Sequence, residues 1–272
     1  MTMAPEPLAA LPVLPAAQAR ALALASRHDV GIHELAGVVE SDPALMIAML
    51  RAANSATQAP AHRVATAHDA IVRVGLHATR RVVTAAATNH AFQDIARAGI
   101  DLEEFWRHTL ATALLADASA WPNGPRTEAF TTGLLHDIGR LALATSDPER
   151  YRFVVRRAQA GEPTDEAERA LFGIDHVAYG REVAAACGLA PVIVEAIAEH
   201  HRGQGSALAW VTYSGRELAG LLGFGDGVAP PALAVPIEAG PRDAVVRSLG
   251  GAAGIRAKIS WYRGLVAERA AA

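Results

Sequence analysis

The 272 residues are 51% hydrophobic and 19% charged, a balance that supports a sizeable core and excludes an intrinsically disordered chain. A formal net charge of −3 gives no bulk attraction for nucleic acid or an anionic membrane surface. The single cysteine, Cys187, excludes an intramolecular disulfide and a thiolate metal cage, and its alanine-rich setting reads as a small buried filler. No apolar run reaches the ~18 residues that cross a bilayer. The first basic residue is Arg20, unlike a secretory leader, so no membrane insertion is expected and the cytoplasm is the expected address.

The spacing predicts helices along the whole chain. Ala16 to Ser26 is rich in alanine and leucine, and Ser41-Asp42-Pro43 has the pattern of a helix start, with Leu45, Met46, Met49 and Leu50 supplying an apolar face that ends at Asn54-Ser55. Thr66 to Val74 is a short helix stopped by Gly75, and Ala78 to Phe92 a longer one whose Arg80-Arg81 pair reads as an exposed face. Leu102 to Ala120 is strongly helical and stops at the turn formers Trp121-Pro122-Asn123-Gly124-Pro125. Thr127 to Ala144, Thr164 to Leu171 and His176 to Cys187 follow, the last capped by Asp175. Pro191 opens a helix through His200-His201, and Ala207 to Leu222 makes another. Residues 228 to 241 read as a loop, with helical pieces near Asp243 to Leu249 and Ile255 to Arg269. No segment alternates as a strand, so the fold class is all α.

Leu135-His136-Asp137-Ile138-Gly139 carries adjacent imidazole and carboxylate groups, and His108, His176 and His200-His201 arrive from other helices. Such a set can converge on a divalent metal or a phosphate. Each also has a plainer reading: His108 as a core histidine beside Phe105 and Trp106, His136-Asp137 as a paired helix contact, His176 as a first-turn residue. Since neighbouring residues of a helix point ~100° apart, only one of His200 and His201 is expected to face the cluster. Tyr179, Trp106, Trp210 and Trp261 read as core or interface aromatics.

At these residues the chain resembles the HD-related output domain (HDOD) family, a degenerate relative of the HD and HD-GYP metal-dependent phosphohydrolases. The likeness rests on Leu11-Pro12-Val13-Leu14-Pro15, on Ser41-Asp42-Pro43-Ala44-Leu45 leading to Leu50-Arg51-Ala52-Ala53-Asn54-Ser55, and on Ala70-Ile71-Val72-Arg73-Val74-Gly75-Leu76. It continues through Phe105-Trp106-Arg107-His108, Gly133 to Gly139, His176-Val177-Ala178-Tyr179-Gly180 and Glu199-His200-His201. The resemblance implies a multi-helix HD-like bundle with an N-terminal helical subdomain over 1–100, an HD-like subdomain over 101–222, and a loop with C-terminal helices over 223–272.

The resemblance also implies a non-catalytic bacterial signal-transduction scaffold that acts through protein partners and needs no cofactor. In the catalytic relatives the matching positions bind metal, which makes His108, His136, Asp137, His176, His200 and His201 the candidate ligands for Fe, Mn or Zn and Asp137 the candidate catalytic group. The family's last metal-binding aspartate falls near Arg216, where a guanidinium opposes a cation and favours a phosphate. Glu217 is the neighbouring carboxylate. Two other readings therefore stay open: a metal-dependent phosphohydrolase or cyclic-dinucleotide phosphodiesterase, and a receptor that holds a cyclic nucleotide or dinucleotide without turnover, with Arg216 on its phosphate.

Overall fold

The computed structural model describes residues 14–55, 63–91, 93–120, 126–230 and 233–266. Among these the chain forms fifteen α-helices and one 3-10 segment, with no strand, as the patterning predicts. Leu11 to Val13, the turn formers 121–125 and the expected helix end at Arg269 lie outside the described residues.

The first helices are α1 (Ala16–Ala25), α2 (Ile32–Glu40), α3 (Pro43–Asn54), α4 (Ala67–Val74) and α5 (Leu76–Ala91). The Asp42 carboxylate accepts from Ala44 N at 2.7 Å, capping α3, and accepts from Gln18 Nε2 at 2.9 Å, which ties α3 to α1. Helix α2 went unanticipated because it is only nine residues long and its N-cap is Gly31. It is fixed from outside, by burial of Leu35, Ala36, Val38 and Val39. The expectation of an exposed Arg80-Arg81 face is corrected. Arg80 is buried and donates to the carbonyls of His28 and Val30, and Arg81 pairs with Asp117. A guanidinium can be buried when carbonyls or a carboxylate satisfy its donors.

After the 3-10 segment Gln93–Ala98 come α6 (Leu102–Ser119), α7 (Arg126–Leu135) and α8 (Ile138–Ser146). Asp101 caps α6 by accepting from Glu104 N at 3.0 Å. From His108 to Asp117 every α6 side chain is buried, the mark of a helix covered on all sides. It lies between α7 and α13 (Ala207–Leu221). Gly215 of α13 permits that contact, since a Cβ there would stand 2.8 Å from Ala116 N and Thr112 O. Helices α9 (Pro148–Gln159), α10 (Thr164–Phe172), α11 (His176–Ala186) and α12 (Pro191–Ala198) complete this part. Helix α9 is a second unanticipated element, capped by Asp147, which accepts from Arg150 N at 2.9 Å.

Two expected boundaries are corrected at the histidine motif. The single helix expected over 127–144 divides at His136-Asp137, where Asp137 takes φ −97 and ψ 20, outside the helical well. Helix α12 ends at Ala198, so His200-His201 occupy the turn beyond it. Finally α14 (Pro241–Ser248) and α15 (Gly251–Val266) form a hairpin, and α15 packs against α3, α5 and α6. Arg51 NH1 donates to Leu265 O at 3.1 Å and Trp261 Nε1 to Ser55 Oγ at 3.2 Å, so the last helix fastens the first bundle to the second.

Candidate metal centre

All six sequence-predicted histidine and aspartate candidates meet at one place. His108 comes from α6, His136 and Asp137 from the α7–α8 break, His176 from the first position of α11, and His200-His201 from the turn after α12. The break itself aims the pair inward, because a continuous helix would swing Asp137 ~100° away from His136. Gly139 brings α8 against α11. A Cβ there would stand 2.0 Å from His176 O and 2.4 Å from Gly180 N. The Asp175 cap, accepting from Ala178 N at 2.8 Å, then starts α11 so that His176 faces Asp137.

Hydrogen bonds fix the ring tautomers. His136 Nδ1 donates to Gly133 O at 2.8 Å, His108 Nδ1 to Phe224 O at 3.0 Å and His200 Nδ1 to Ile197 O at 2.6 Å. A carbonyl only accepts, so each Nδ1 carries its proton and each neutral ring presents an unshared pair at Nε2. Those Nε2 atoms face inward. His108 and His136 Nε2 lie 3.3 Å apart, His176 and His201 Nε2 also 3.3 Å, and His200 Nε2 sits 3.5 Å from Asp137 Oδ1. Both His200 Nε2 and Asp137 Oδ1 are buried with no hydrogen-bond partner among the described residues.

Lone pairs that face one another across a dry space repel unless a cation lies between them, and a carbonyl or carboxylate behind each ring is how proteins orient metal-binding imidazoles. The ligand atoms of His108, His136 and Asp137 lie within 4.8 Å of one another, as do those of His176, His200 and His201. The donor set therefore fits a divalent ion, and nitrogen with carboxylate ligands suits Fe, Mn or Zn. The expectation that one of His200 and His201 would turn away is corrected. Both reach the cluster because a turn, unlike a helix, does not hold neighbours 100° apart.

Three further groups went unseen in the sequence. Glu168 of α10, fully buried, accepts at Oε2 from His176 Nδ1 (2.5 Å) and His176 N (2.8 Å), and at Oε1 from the Tyr151 hydroxyl (2.7 Å). Arg140, one turn after Asp137, is 2% exposed, with Nε 3.7 Å from Asp137 Oδ2 and NH1 2.7 Å from Asp226 Oδ2. Asp226 lies in the segment after α13 and accepts from Val228 N and Ala229 N at 3.0 and 2.9 Å. No motif marks Glu168 or Asp226. Arg140 was within reach as the residue after Gly139, whose helical spacing from Asp137 places it on the same face.

Burial pushes the His108, His136 and His200 pKa values down, against the raising effect of Asp137, so these rings stay neutral. Burial acts on Asp137 in the opposite sense, but the Arg140 guanidinium outweighs it and holds the carboxylate well below its usual range. Arg216 and Glu217 stand apart from this pairing: Arg216 NH1 donates to Glu217 Oε1 at 3.1 Å, with both side chains partly exposed. Arg216 still bears on the cluster as a positive charge that lowers the His108 and His201 pKa values.

Comparison with known proteins matches the HDOD domain over residues 11–203. The chain belongs to the HDOD family. Among solved structures, a candidate phosphohydrolase from Shewanella amazonensis superposes with a TM-score of 0.69 at 24% identity, over 94% of this chain and 95% of that one. An HDOD domain protein of unknown function from Geobacter sulfurreducens gives 0.66 at 22% identity, over 95% and 93%. A candidate signal transduction protein from Marinobacter aquaeolei gives 0.69 at 23% identity, over 93% of this chain and 60% of that one. At these identities the likeness establishes the HDOD fold. An uncharacterized protein from Treponema pallidum is 21% identical over 177 residues, 64% of this chain and 34% of that protein, so the match spans about a third of the curated relative. No helix among the described residues is long and apolar enough to cross a membrane.

Proposed function

We propose that this HDOD chain is a non-catalytic regulatory module of bacterial cytoplasmic signalling, which works through protein partners and keeps the histidine cluster as a sealed structural core. The observation that carries this reading is closure. His108, His136, Asp137, His176 and His200 are each 5% exposed or less, and His201 borders an open cleft between α10, α11 and the turn after α12. Hydrolysis of a phosphodiester needs the phosphorus within ~3 Å of the attacking oxygen, and the depth of these side chains supports a reading without turnover. The Arg140–Asp226 pair reinforces the closure, because the segment carrying Asp226 also supplies the Phe224 carbonyl behind His108.

The regulatory role itself needs no cofactor. A divalent ion held by His108, His136, Asp137 and His200 would supply a Lewis acid and neutralise the inward lone pairs. The convergence of those lone pairs favours a second reading, a metal-dependent phosphohydrolase. The receptor reading centred on Arg216 is weakened because that guanidinium already pairs with Glu217.

The test is elemental analysis of untagged protein together with turnover of bis(p-nitrophenyl) phosphate and of a cyclic dinucleotide, before and after loading with Fe, Mn or Zn. The expected result is no hydrolysis above buffer, whatever the metal content. Turnover that His136→Ala abolishes would replace the scaffold reading with the hydrolase.

A further inference from the structure

A large cleft lies away from the histidine cluster, where the C-terminal hairpin meets α6. Its volume is about 1030 Å³, at the upper end of the ~300–1,000 Å³ typical of small-molecule sites. It stays open because small residues, Ala118, Ala244, Gly254 and Ala257, face one another there. The tight hairpin requires one of them. A Cβ on Gly254 would stand 2.2 Å from Leu249 O. Leu114, Val245 and Leu249 supply apolar walls.

Two features give the cleft a chemical preference. The first is charge. Arg81 and Asp117 pair at one side, while Lys258, the only lysine in the chain, lines the cleft with no hydrogen bond or ion pair among the described residues. That leaves one uncompensated positive charge. The second is an aromatic platform. Trp261, one turn after Lys258 on α15, is 39% exposed, its indole N–H is held by Ser55 Oγ at 3.2 Å, and it packs edge-on against Tyr262 at 4.9 Å. An indole fixed at its polar edge and braced edge-on by one neighbour is a rigid apolar surface. Lys258 and Trp261 stand three residues apart, on one face of α15.

We propose that the cleft between α6, α14 and α15 binds an aromatic monoanion, such as an arene carboxylate, with its ring on Trp261 and its charge at Lys258. An ammonium group is a compact point charge that accepts any small anion, so the anionic group is set by size and the ring by Trp261. Only the cleft's α14–α15 wall lies beyond the family-matched residues 11–203. The cleft bridges elements from both halves of the bundle, Arg81 on α5 and Leu114 on α6.

The probe is 8-anilinonaphthalene-1-sulfonate, an aromatic monoanion, followed by its fluorescence and compared with uncharged N-phenyl-1-naphthylamine. The full chain is expected to bind the anion saturably at one site. Lys258→Gln is expected to weaken binding about fivefold, the scale of an exposed charge contact, and to leave the neutral probe unaffected. Ala257 is exposed on α15, so Ala257→Trp fills the cleft without disturbing the core and is expected to weaken both probes tenfold or more. Ala253→Trp, exposed on the same helix outside the lining, is expected to bind as the parent does. Absence of saturable binding, or binding that Ala257→Trp leaves unchanged, overturns the proposal. Equal affinity for the two probes overturns the assignment of the anion to Lys258.

Discussion

Replacing Asp226 by asparagine tests the electrostatic frame of the histidine cluster with little change of shape. The side-chain oxygen of the introduced asparagine can still accept from Val228 N and Ala229 N, as Asp226 Oδ1 does at 3.0 and 2.9 Å, so the local turn survives, while an NH2 group replaces Oδ2 and removes both the charge and the acceptor that face Arg140 NH1. Arg140 NH1 lies 2.7 Å from Asp226 Oδ2, which at an effective dielectric of ~20 corresponds to ~6 kcal/mol of attraction, partly offset by desolvation. Removing one member of a buried pair costs ~3–5 kcal/mol. Asp226 is 22% exposed and Asp137 remains 3.7 Å from the guanidinium, which places the expected loss near the lower figure, ~3 kcal/mol. Urea denaturation at pH 7 reads this as a lower midpoint at unchanged slope. Acid reads the same interaction. Burial raises the Asp226 pKa, but Arg140 outweighs it and holds the carboxylate below its usual range, so the stabilisation is fully present above pH ~4 and is lost as pH falls through the folded-state value. The parent is therefore expected to lose its advantage over Asp226→Asn below pH ~4. A loss under ~1 kcal/mol at pH 7, or a gap that does not narrow in acid, would show that Arg140 is satisfied without Asp226.

Other substitutions probe the remaining supports. Gly139→Ala places a Cβ 2.0 Å from His176 O, a main-chain clash expected to cost ~3 kcal/mol or more and to lower the melting temperature measured by circular dichroism. Glu168→Ala strands the His176 N–H and Nδ1–H donors and is expected to cost ~3 kcal/mol, against ~1 kcal/mol for Glu168→Gln, whose amide still offers one acceptor; denaturant midpoints give the ranking. Arg140→Met removes the resident cation beside Asp137 and is expected to tighten Mn or Zn binding about tenfold or more by calorimetry. In chelator-treated protein, the three imidazoles that burial keeps neutral bind fewer protons folded than unfolded. Stability is then full above pH ~6.5 and falls as pH drops below it, which urea midpoints at pH 7.5 and 5.5 measure.

Local signals carried much of this protein. Asp42-Pro43, Asp101 and Asp175 start helices where their side chains can cap free backbone N–H groups, and the 3.6-residue spacing of apolar positions gives an all-helical chain, because both depend on residues a few positions apart. The candidate ligands His108, His136, Asp137, His176, His200 and His201 were visible too, since imidazole and carboxylate groups in that order are uncommon in an apolar helical context. Their convergence was not. It depends on the break at Asp137, on Gly139 meeting the first turn of α11, and on a turn that points His200 and His201 inward together, all of which are set by packing between distant helices. The partners that define the cluster's chemistry lie farthest from any local signal: Glu168 is 8 residues from His176, Asp226 is 86 from Arg140, and Phe224 is 116 from His108. A buried charge or imidazole is tolerable only where a partner arrives in space. The helices and the kinds of ligand they carry are thus written locally in the chain, whereas packing between distant segments turns the rings inward with their lone pairs free and sets Arg140 among them.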